Sequence, residues 1–272
     1  MTHAVGNEAE REARLRFAID IARAAGELTL QHFRSPDLAV ERKGDDSPVT
    51  VADRAAERLL RERIADAYPQ DGVVGEEEDD TAGESGFTWI VDPIDGTEAF
   101  HRGVPLYGNL VACEAEGEVQ VGVINCPAAG EYVAAARGLG TRWVVGDEAP
   151  RVGRVSKTAR LADSVLSTTS LFSCARTLPP SFYASLPANV GHDRGWSDCY
   201  AYVLVATGRI EVALDALMHV WDNAPLQVVV EEAGGRFSDL AGERTFRGTS
   251  ALATNGLVHD ELLALLRAND AG

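Results

Sequence analysis

The stretch Trp89-Ile90-Val91-Asp92-Pro93-Ile94-Asp95-Gly96-Thr97-Glu98-Ala99-Phe100 decides the reading of this 272-residue chain. Its apolar lead-in predicts a strand. Pro93 biases Asp92 toward extended backbone, so the first carboxylate is expected to end that strand. Asp95-Gly96-Thr97 then reads as a tight turn opening a helix, whose first amides and dipole suit an anion such as phosphate. Two carboxylates converging beside an anion cradle make sense when hard cations sit between them. The segment by itself points to divalent-metal phosphate chemistry.

The composition agrees with that reading. A net charge of −17, from 42 acids against 25 lysines and arginines, argues against a nucleic acid or an anionic membrane as partner. The same charge would repel a polyanionic substrate unless metal ions reversed the local field. A hydrophobic fraction of 45% allows a sizeable core, as one large domain or two closely packed ones. Cys113, Cys126, Cys174 and Cys199 show no Cys-x-x-Cys spacing and read as reduced structural thiols. The N-terminus lacks the basic start and apolar run of a signal peptide, and no apolar stretch is long enough to span a bilayer. The expected compartment is the cytoplasm.

Outward from the motif, Glu8 to Phe33 carries apolar residues at helical period, and Lys43 to Pro48 reads as a loop. Thr50 to Asp53 resembles a capping box opening a helix from Arg54 to Tyr68, with Ala55, Leu59, Leu60 and Ile64 expected inside. Gly72 to Gly75 reads as a strand, followed at once by Glu76. Strands are predicted at Leu106–Cys113, Val119–Asn125 and Glu131–Ala136, mostly antiparallel. Beyond them come strands at Ser164–Thr168 and Ile210–Leu214 and helices at Cys199–Thr207, Trp221–Ala233 and Glu261–Asn269. The expected organisation is an α+β fold in two parts. An N-terminal part, 1–146, has an antiparallel sheet and most of the acids, and a C-terminal α/β part, 147–272, carries Asp222.

Four separate segments place an acid where a strand or loop meets a helix: Asp53, Glu76, the pair Asp92 and Asp95, and Asp222. Singly, Asp53 reads as a capping residue, Glu76 as part of a solvated acidic run, and Asp222 as a helix N-cap. Together they form a constellation, because uncompensated carboxylates at the ends of apolar strands are costly to bury.

With these residues in view, the chain resembles the inositol monophosphatase family of metal-dependent, lithium-sensitive phosphatases. The resemblance rests on Trp89 to Phe100, on Trp221-Asp222 with Glu232-Ala233-Gly234-Gly235, on Val49 to Asp53, and on Gly75-Glu76-Glu77. It implies a layered α-β-α-β-α sandwich and a homodimer. It also implies Mg2+, two or more per site, with Mn2+ as a substitute and Li+ as an inhibitor. Glu76, Asp92 and the Ile94 carbonyl would hold one ion, and Asp92, Asp95 and Asp222 a second. Gly96 and Thr97 would bind phosphate through their amides, Thr97 polarised by Asp53 would orient the attacking water, and Glu76 would assist. His101 and His219 need no catalytic role. Asn223 to Gln227 departs from the family's usual second signature, with Pro225 expected in the first helical turn, and this tilts the substrate away from inositol.

Substrate choice is expected in Arg194-Gly195-Trp196-Ser197-Asp198-Cys199-Tyr200, joined by Asp215. That segment is similar to the corresponding stretch of the family's histidinol-phosphate phosphatases. Histidinol phosphate offers an ammonium and an imidazole, for which acids are natural partners, whereas inositol offers only hydroxyls. Asp198 and Asp215 would supply that charge, and Arg194 would steer the phosphate or orient an aspartate. Ser197 or Asp198 would equally serve as N-cap of the following helix, and Trp196 as core. The rival substrates are inositol 1-phosphate and other sugar phosphates. The rival class is a non-catalytic metal-binding regulatory protein on the same scaffold, against which the complete ligand set with Thr97 and Asp53 argues.

Overall fold

The structure, a computed structural model, describes residues 7–44 and 47–270. Residues 1–6, where the signal-peptide reading begins, and Asp45 and Asp46 of the expected Lys43–Pro48 loop lie outside the described residues.

The first helix, α1 (Glu8–His32), forms where the apolar period placed it, with Leu15, Ala18, Ala22 and Ala25 buried. A small antiparallel pair, β1 (Val40–Arg42) and β2 (Pro48–Thr50), leads into α2 (Val51–Ala67). The capping box expected at Thr50 and Asp53 is present. The buried face is shifted slightly from the expected one: Ala52, Asp53, Ala56, Glu57, Leu60 and Ile64 are buried, while Ala55 and Leu59 are half-buried. Both helices cover one face of a seven-stranded sheet. In spatial order its strands are β3 (Gly72–Gly75), β4 (Phe87–Asp95), β5 (Gly108–Ala115), β6 (Glu118–Cys126), β7 (Glu131–Ala136), β8 (Gly140–Val145) and β9 (Arg151–Val152). Only the β3–β4 pair is parallel. Gly108, not Leu106, starts β5, and the reading of the sequence missed β8 and β9.

The deciding motif departs from its expected shape in two ways. Asp92 does not end its strand, because β4 runs on to Asp95, with its register to β5 slipping between Asp92 and Asp95. Such an irregularity is where a sheet accommodates a proline that cannot donate to the ladder; the Pro93 carbonyl instead accepts from Asn109 Nδ2 at 2.7 Å. The helix that follows, α3 (Thr97–His101), is a single short stretch. Any attraction for an anion there rests on first-turn amides rather than on an extended helix dipole. At the other end of β4, Trp89 is fully buried, and its Nε1 donates to Asp71, which also pairs with Arg14 at 2.5 Å. The signature tryptophan is therefore an anchor for the strand.

The opposite face of the large sheet is covered by α6 (Cys199–Ala206) and α7 (Val220–Glu232). These in turn pack on a second sheet of five strands: β10 (Val165–Ser167), β11 (His192–Arg194), β12 (Val212–Asp215), β13 (Arg236–Ser238) and β14 (Ala251–Thr254). Its order is β11-β10-β12-β14-β13, parallel on one side and antiparallel on the other. The last layer is α4 (Leu171–Thr177), α5 (Pro180–Asn189) and α8 (His259–Asp270). The result is the α-β-α-β-α sandwich. Helices α4 and α5 escaped the sequence reading because both are short, and α5 begins at a proline and holds Pro187 inside. Pro225 is also corrected: α7 begins at Val220, so the proline lies inside the helix rather than in its first turn.

The larger sheet ends at Val152, six residues past the expected boundary, because β9 pairs with β8; the core between the sheets joins Leu110 and Ile124 to Tyr202, Val229 and Phe237. We propose that 1–146 and 147–272 are two parts of one packed body, since they share this core. Each fully buried aliphatic side chain there contributes about 1.5–3 kcal/mol. All four cysteines are buried and unpaired.

Candidate active site

Three elements from distant parts of the chain converge at one end of the large sheet. The β4–α3 turn brings Asp92, Ile94, Asp95, Gly96 and Thr97, the end of β3 brings Glu76, and the start of α7 brings Asp222. They line a cleft of about 180 Å³, together with Leu217, His219 and Trp221. One oxygen from each of Asp92, Asp95 and Asp222 lies within 4.8 Å of the others.

Each of these carboxylates is oriented by one backbone amide. Asp92 Oδ1 accepts from Ile94 N at 2.9 Å, Asp95 Oδ2 from Cys199 N at 2.6 Å, and Asp222 Oδ2 from His219 N at 2.7 Å. Asp222 therefore stands three residues inside the helix as the acid of a capping box, and not at the N-cap itself. Among the described residues, no amide, hydroxyl or basic side chain reaches the second oxygen of any of the three. Burial and the neighbouring carboxylates push Asp95 and Asp222 up to about 7, and Asp92 well above its ordinary range. For Asp92 the neighbours are Glu76, Asp95 and Asp222.

Glu76 faces this group, but its Oε1 is held at 2.7 Å by Lys43 Nζ, which also pairs with Glu77 at 2.7 Å. Burial works against the Lys43 charge, yet the two carboxylates more than offset it and raise its pKa. Burial likewise pushes Glu77 up to about 7. The turn carrying Glu76 is fixed from beneath by the buried Glu57, which accepts from the amides of Glu77 (2.8 Å) and Glu78 (3.1 Å) and from Arg61. This approach requires Gly75, where an added Cβ would lie 2.2 Å from Glu57 Oε1. Neither Lys43 nor Glu57 is marked as a site residue by the sequence around it. The Glu57–Arg61 spacing of four was the only available signal for the latter.

Asp53 sits behind the cleft. Its Oδ2 accepts from the Thr50 amide and hydroxyl, and its Oδ1 lies 3.2 Å from Thr97 Oγ1. The Thr97 hydroxyl is also 3.0 Å from the Ile94 carbonyl. A hydroxyl has one proton, so when it donates to either acceptor its lone pairs remain free to receive a hydrogen from water. Gly96 adopts φ +87°, a conformation glycine takes without strain, and this sets the turn between Asp95 and Thr97.

The substrate candidates separate. Asp198 adjoins the cleft, and an added Cβ on Gly96 would stand 2.7 Å from its Oδ2. It occupies the N-cap position of α6 but makes no side-chain cap. Burial, then the charges of Asp95 and Asp215, holds its pKa well above the ordinary range. Asp215 is buried with both oxygens engaged: Oδ1 accepts from Thr169 N at 2.8 Å, and Oδ2 from Tyr202 OH at 3.1 Å. Arg194 is exposed on β11 and donates to the Asp193 carbonyl at 2.6 Å, with no bond to either aspartate. Trp196 packs against the core between the sheets and is pinned by Ser167. His101 pairs with Glu98, and His219 stacks on Trp221.

The donor set can be tested for fit to a metal. Buried carboxylate oxygens with no donors, which repel one another and have already drawn one ammonium to Glu76, suit hard divalent cations with oxygen ligands.

The sequence profile of the inositol monophosphatase family matches residues 10–271. The chain is 42% identical over 256 residues to a histidinol-phosphatase of Chlorobaculum parvum, covering 93% of this chain and 96% of that one. It is also 42% identical over 254 residues to a histidinol-phosphatase of Mycobacterium tuberculosis, covering 93% and 98%. Among solved structures, the extragenic suppressor protein suhB of Bartonella henselae superimposes with a TM-score of 0.85 at 29% identity, covering 94% of this chain and 98% of that one.

Proposed function

The chain belongs to the inositol monophosphatase family and is a phosphoric monoester hydrolase, and on that premise we propose that its substrate is L-histidinol phosphate, cleaved with Mg2+ to L-histidinol and phosphate. The observation that carries the substrate is the Asp198 carboxylate seated against Gly96. In histidinol phosphate the amine nitrogen is only four bonds from phosphorus, so the acid that reads it would stand beside the groups that hold the phosphate, and the position of Asp198 against Gly96 supports that reading.

We assign Glu76, Asp92, the Ile94 carbonyl, Asp95 and Asp222 to holding Mg2+, and the amides of Gly96 and Thr97 to the phosphate. When bound, the cations supply Lewis-acid charge at the phosphoryl group and make water a better nucleophile at neutral pH. Thr97, donating to Asp53, accepts a hydrogen from the attacking water and so fixes its direction. Glu76 faces the same cleft and would assist in taking the proton that this water gives up as its oxygen bonds phosphorus, while the leaving histidinol oxygen takes a proton from solvent. Asp198 accepts from the substrate ammonium, a hydrogen bond between opposite charges, where a sugar hydroxyl would bring no charge of its own. We further propose a cytoplasmic homodimer, with Mn2+ able to substitute and Li+ inhibitory. Among the described residues, no helix is long and apolar enough to cross a membrane.

The test is kcat/KM on L-histidinol phosphate against inositol 1-phosphate, each with saturating Mg2+. Histidinol phosphate should lead by at least about tenfold, the scale of one charge-assisted hydrogen bond. Equal or reversed preference would overturn the substrate.

A further inference from the structure

Asp198 is held in an uncommon backbone conformation, φ 53° and ψ −146°, outside the regions an aspartate ordinarily prefers. Something has to hold it there, and hydrogen bonds to residues distant in the chain supply the means. The Asp198 amide donates to Thr169 Oγ1 at 2.8 Å. The Thr169 amide donates to Asp215 Oδ1 at 2.8 Å, and Asp215 Oδ2 accepts from the fully buried Tyr202 hydroxyl at 3.1 Å. The chain of bonds thus runs from the core outward, Tyr202 to Asp215 to Thr169 to the Asp198 backbone. Thr169, Asp198 and Asp215 share the wall of a small cavity of about 90 Å³ that also touches Asp95 and Asp222.

We propose that Thr169 is a positioning residue for substrate selection, its hydroxyl fixing the Asp198 backbone so that the carboxylate faces Gly96, with Asp215 and Tyr202 as the support behind it. Asp215, each of whose oxygens already accepts a donor, is assigned to orienting Thr169. The inference rests on the reading of Asp198 as the acceptor of the substrate ammonium. It accounts for two acids in one cavity by giving them different tasks. The one with engaged oxygens builds the geometry, and the one against the cradle uses it.

The experiment compares kcat/KM for L-histidinol phosphate and its des-amino analogue, 3-(imidazol-4-yl)propyl phosphate, in the wild-type enzyme, Thr169→Val, Thr169→Ser and Tyr202→Phe. Thr169→Val should reduce the preference for the amine-bearing ester by about tenfold, chiefly through KM, as expected when a charged hydrogen bond loses its alignment. Thr169→Ser, which keeps the hydroxyl, should restore the preference. Tyr202→Phe, which keeps the ring in the core, should show a smaller loss of the same kind and carries the test if Thr169→Val does not fold. A wild-type preference retained in Thr169→Val and Tyr202→Phe, or equal losses on both esters, would overturn the positioning role alone. A wild-type enzyme with no preference for the amine would overturn the reading of Asp198, and this inference with it.

Discussion

The cleft acids and Asp215 are all buried or half-buried carboxylates a short distance apart, yet their surroundings differ in one respect. Asp92, Asp95 and Asp222 each receive one amide and lie with an oxygen within 4.8 Å of one another, carboxylate against carboxylate. Asp215 receives an amide on one oxygen and a hydroxyl on the other. Burial raises all three pKa values, but neighbouring carboxylates add to the rise at Asp95 and Asp222, whereas the Thr169 and Tyr202 donors oppose it at Asp215. A carboxylate with its donors supplied is part of the scaffold, and a cluster left without them needs cations.

Asp95→Asn gives the strongest way to break this contrast. It should lower Mg2+-dependent turnover on the order of 10³-fold, the size associated with losing a group that acts on transition-state charge. It should also raise the melting temperature of the metal-free protein, by relieving repulsion. A variant less stable than wild type without metal would show that Asp95 is scaffold. Thr97→Val should cost about 10²-fold in kcat with KM little changed, as for a group that positions a proton-transferring water. A pure KM effect would remove its assigned role. Asp215→Asn should act on stability instead, by about 1–3 kcal/mol, with the Mg2+ midpoint unmoved. A shifted midpoint would place Asp215 among the ligands.

The smallest effect concerns His259, a buried titratable group remote from both regions. Its Nδ1 lies 3.0 Å from Thr254 Oγ1 and its Nε2 3.0 Å from Ser238 Oγ. Because Ser238 donates to the Asp239 carbonyl and Thr254 accepts from Gly256, the network assigns a neutral ring with its proton on Nε2. Burial pushes its pKa down to about 4 from an ordinary 6.5. As pH falls from about 6.5 toward about 4, the unfolded chain takes up this proton before the folded one does, so stability present above pH 6.5 is lost. In thermal denaturation, the advantage of wild type over His259→Asn should therefore narrow across that window. A constant difference would contradict the assignment.

Legibility in the sequence follows the same division. Asp92 to Thr97 could be read because contiguous residues supply two carboxylates and a turn, and Asp53 and Asp222 because capping patterns mark the helix starts that carry them. Asp198 could be singled out, but its positive φ could not, since nothing local to Ser197-Asp198-Cys199 demands it; Thr169, 29 residues earlier, holds its amide. Lys43 and Glu57 act through space in the same way, on a turn they do not belong to. Arg194 was drawn into the site by its neighbours in sequence, and the edge strand β11 carries it out to solvent.

The central claim is that the clustered cleft carboxylates, each held by a single backbone amide, form a metal centre serving a phosphate ester bearing an amine. It is met most directly by measuring phosphate release from L-histidinol phosphate by chelator-stripped protein as Mg2+ is titrated in. Turnover should be absent without the ion, rise saturably with it, and not recover in Asp95→Asn at any Mg2+ concentration that saturates wild type. Release that proceeds equally in chelator, or an Asp95→Asn enzyme that matches wild type, would contradict the account.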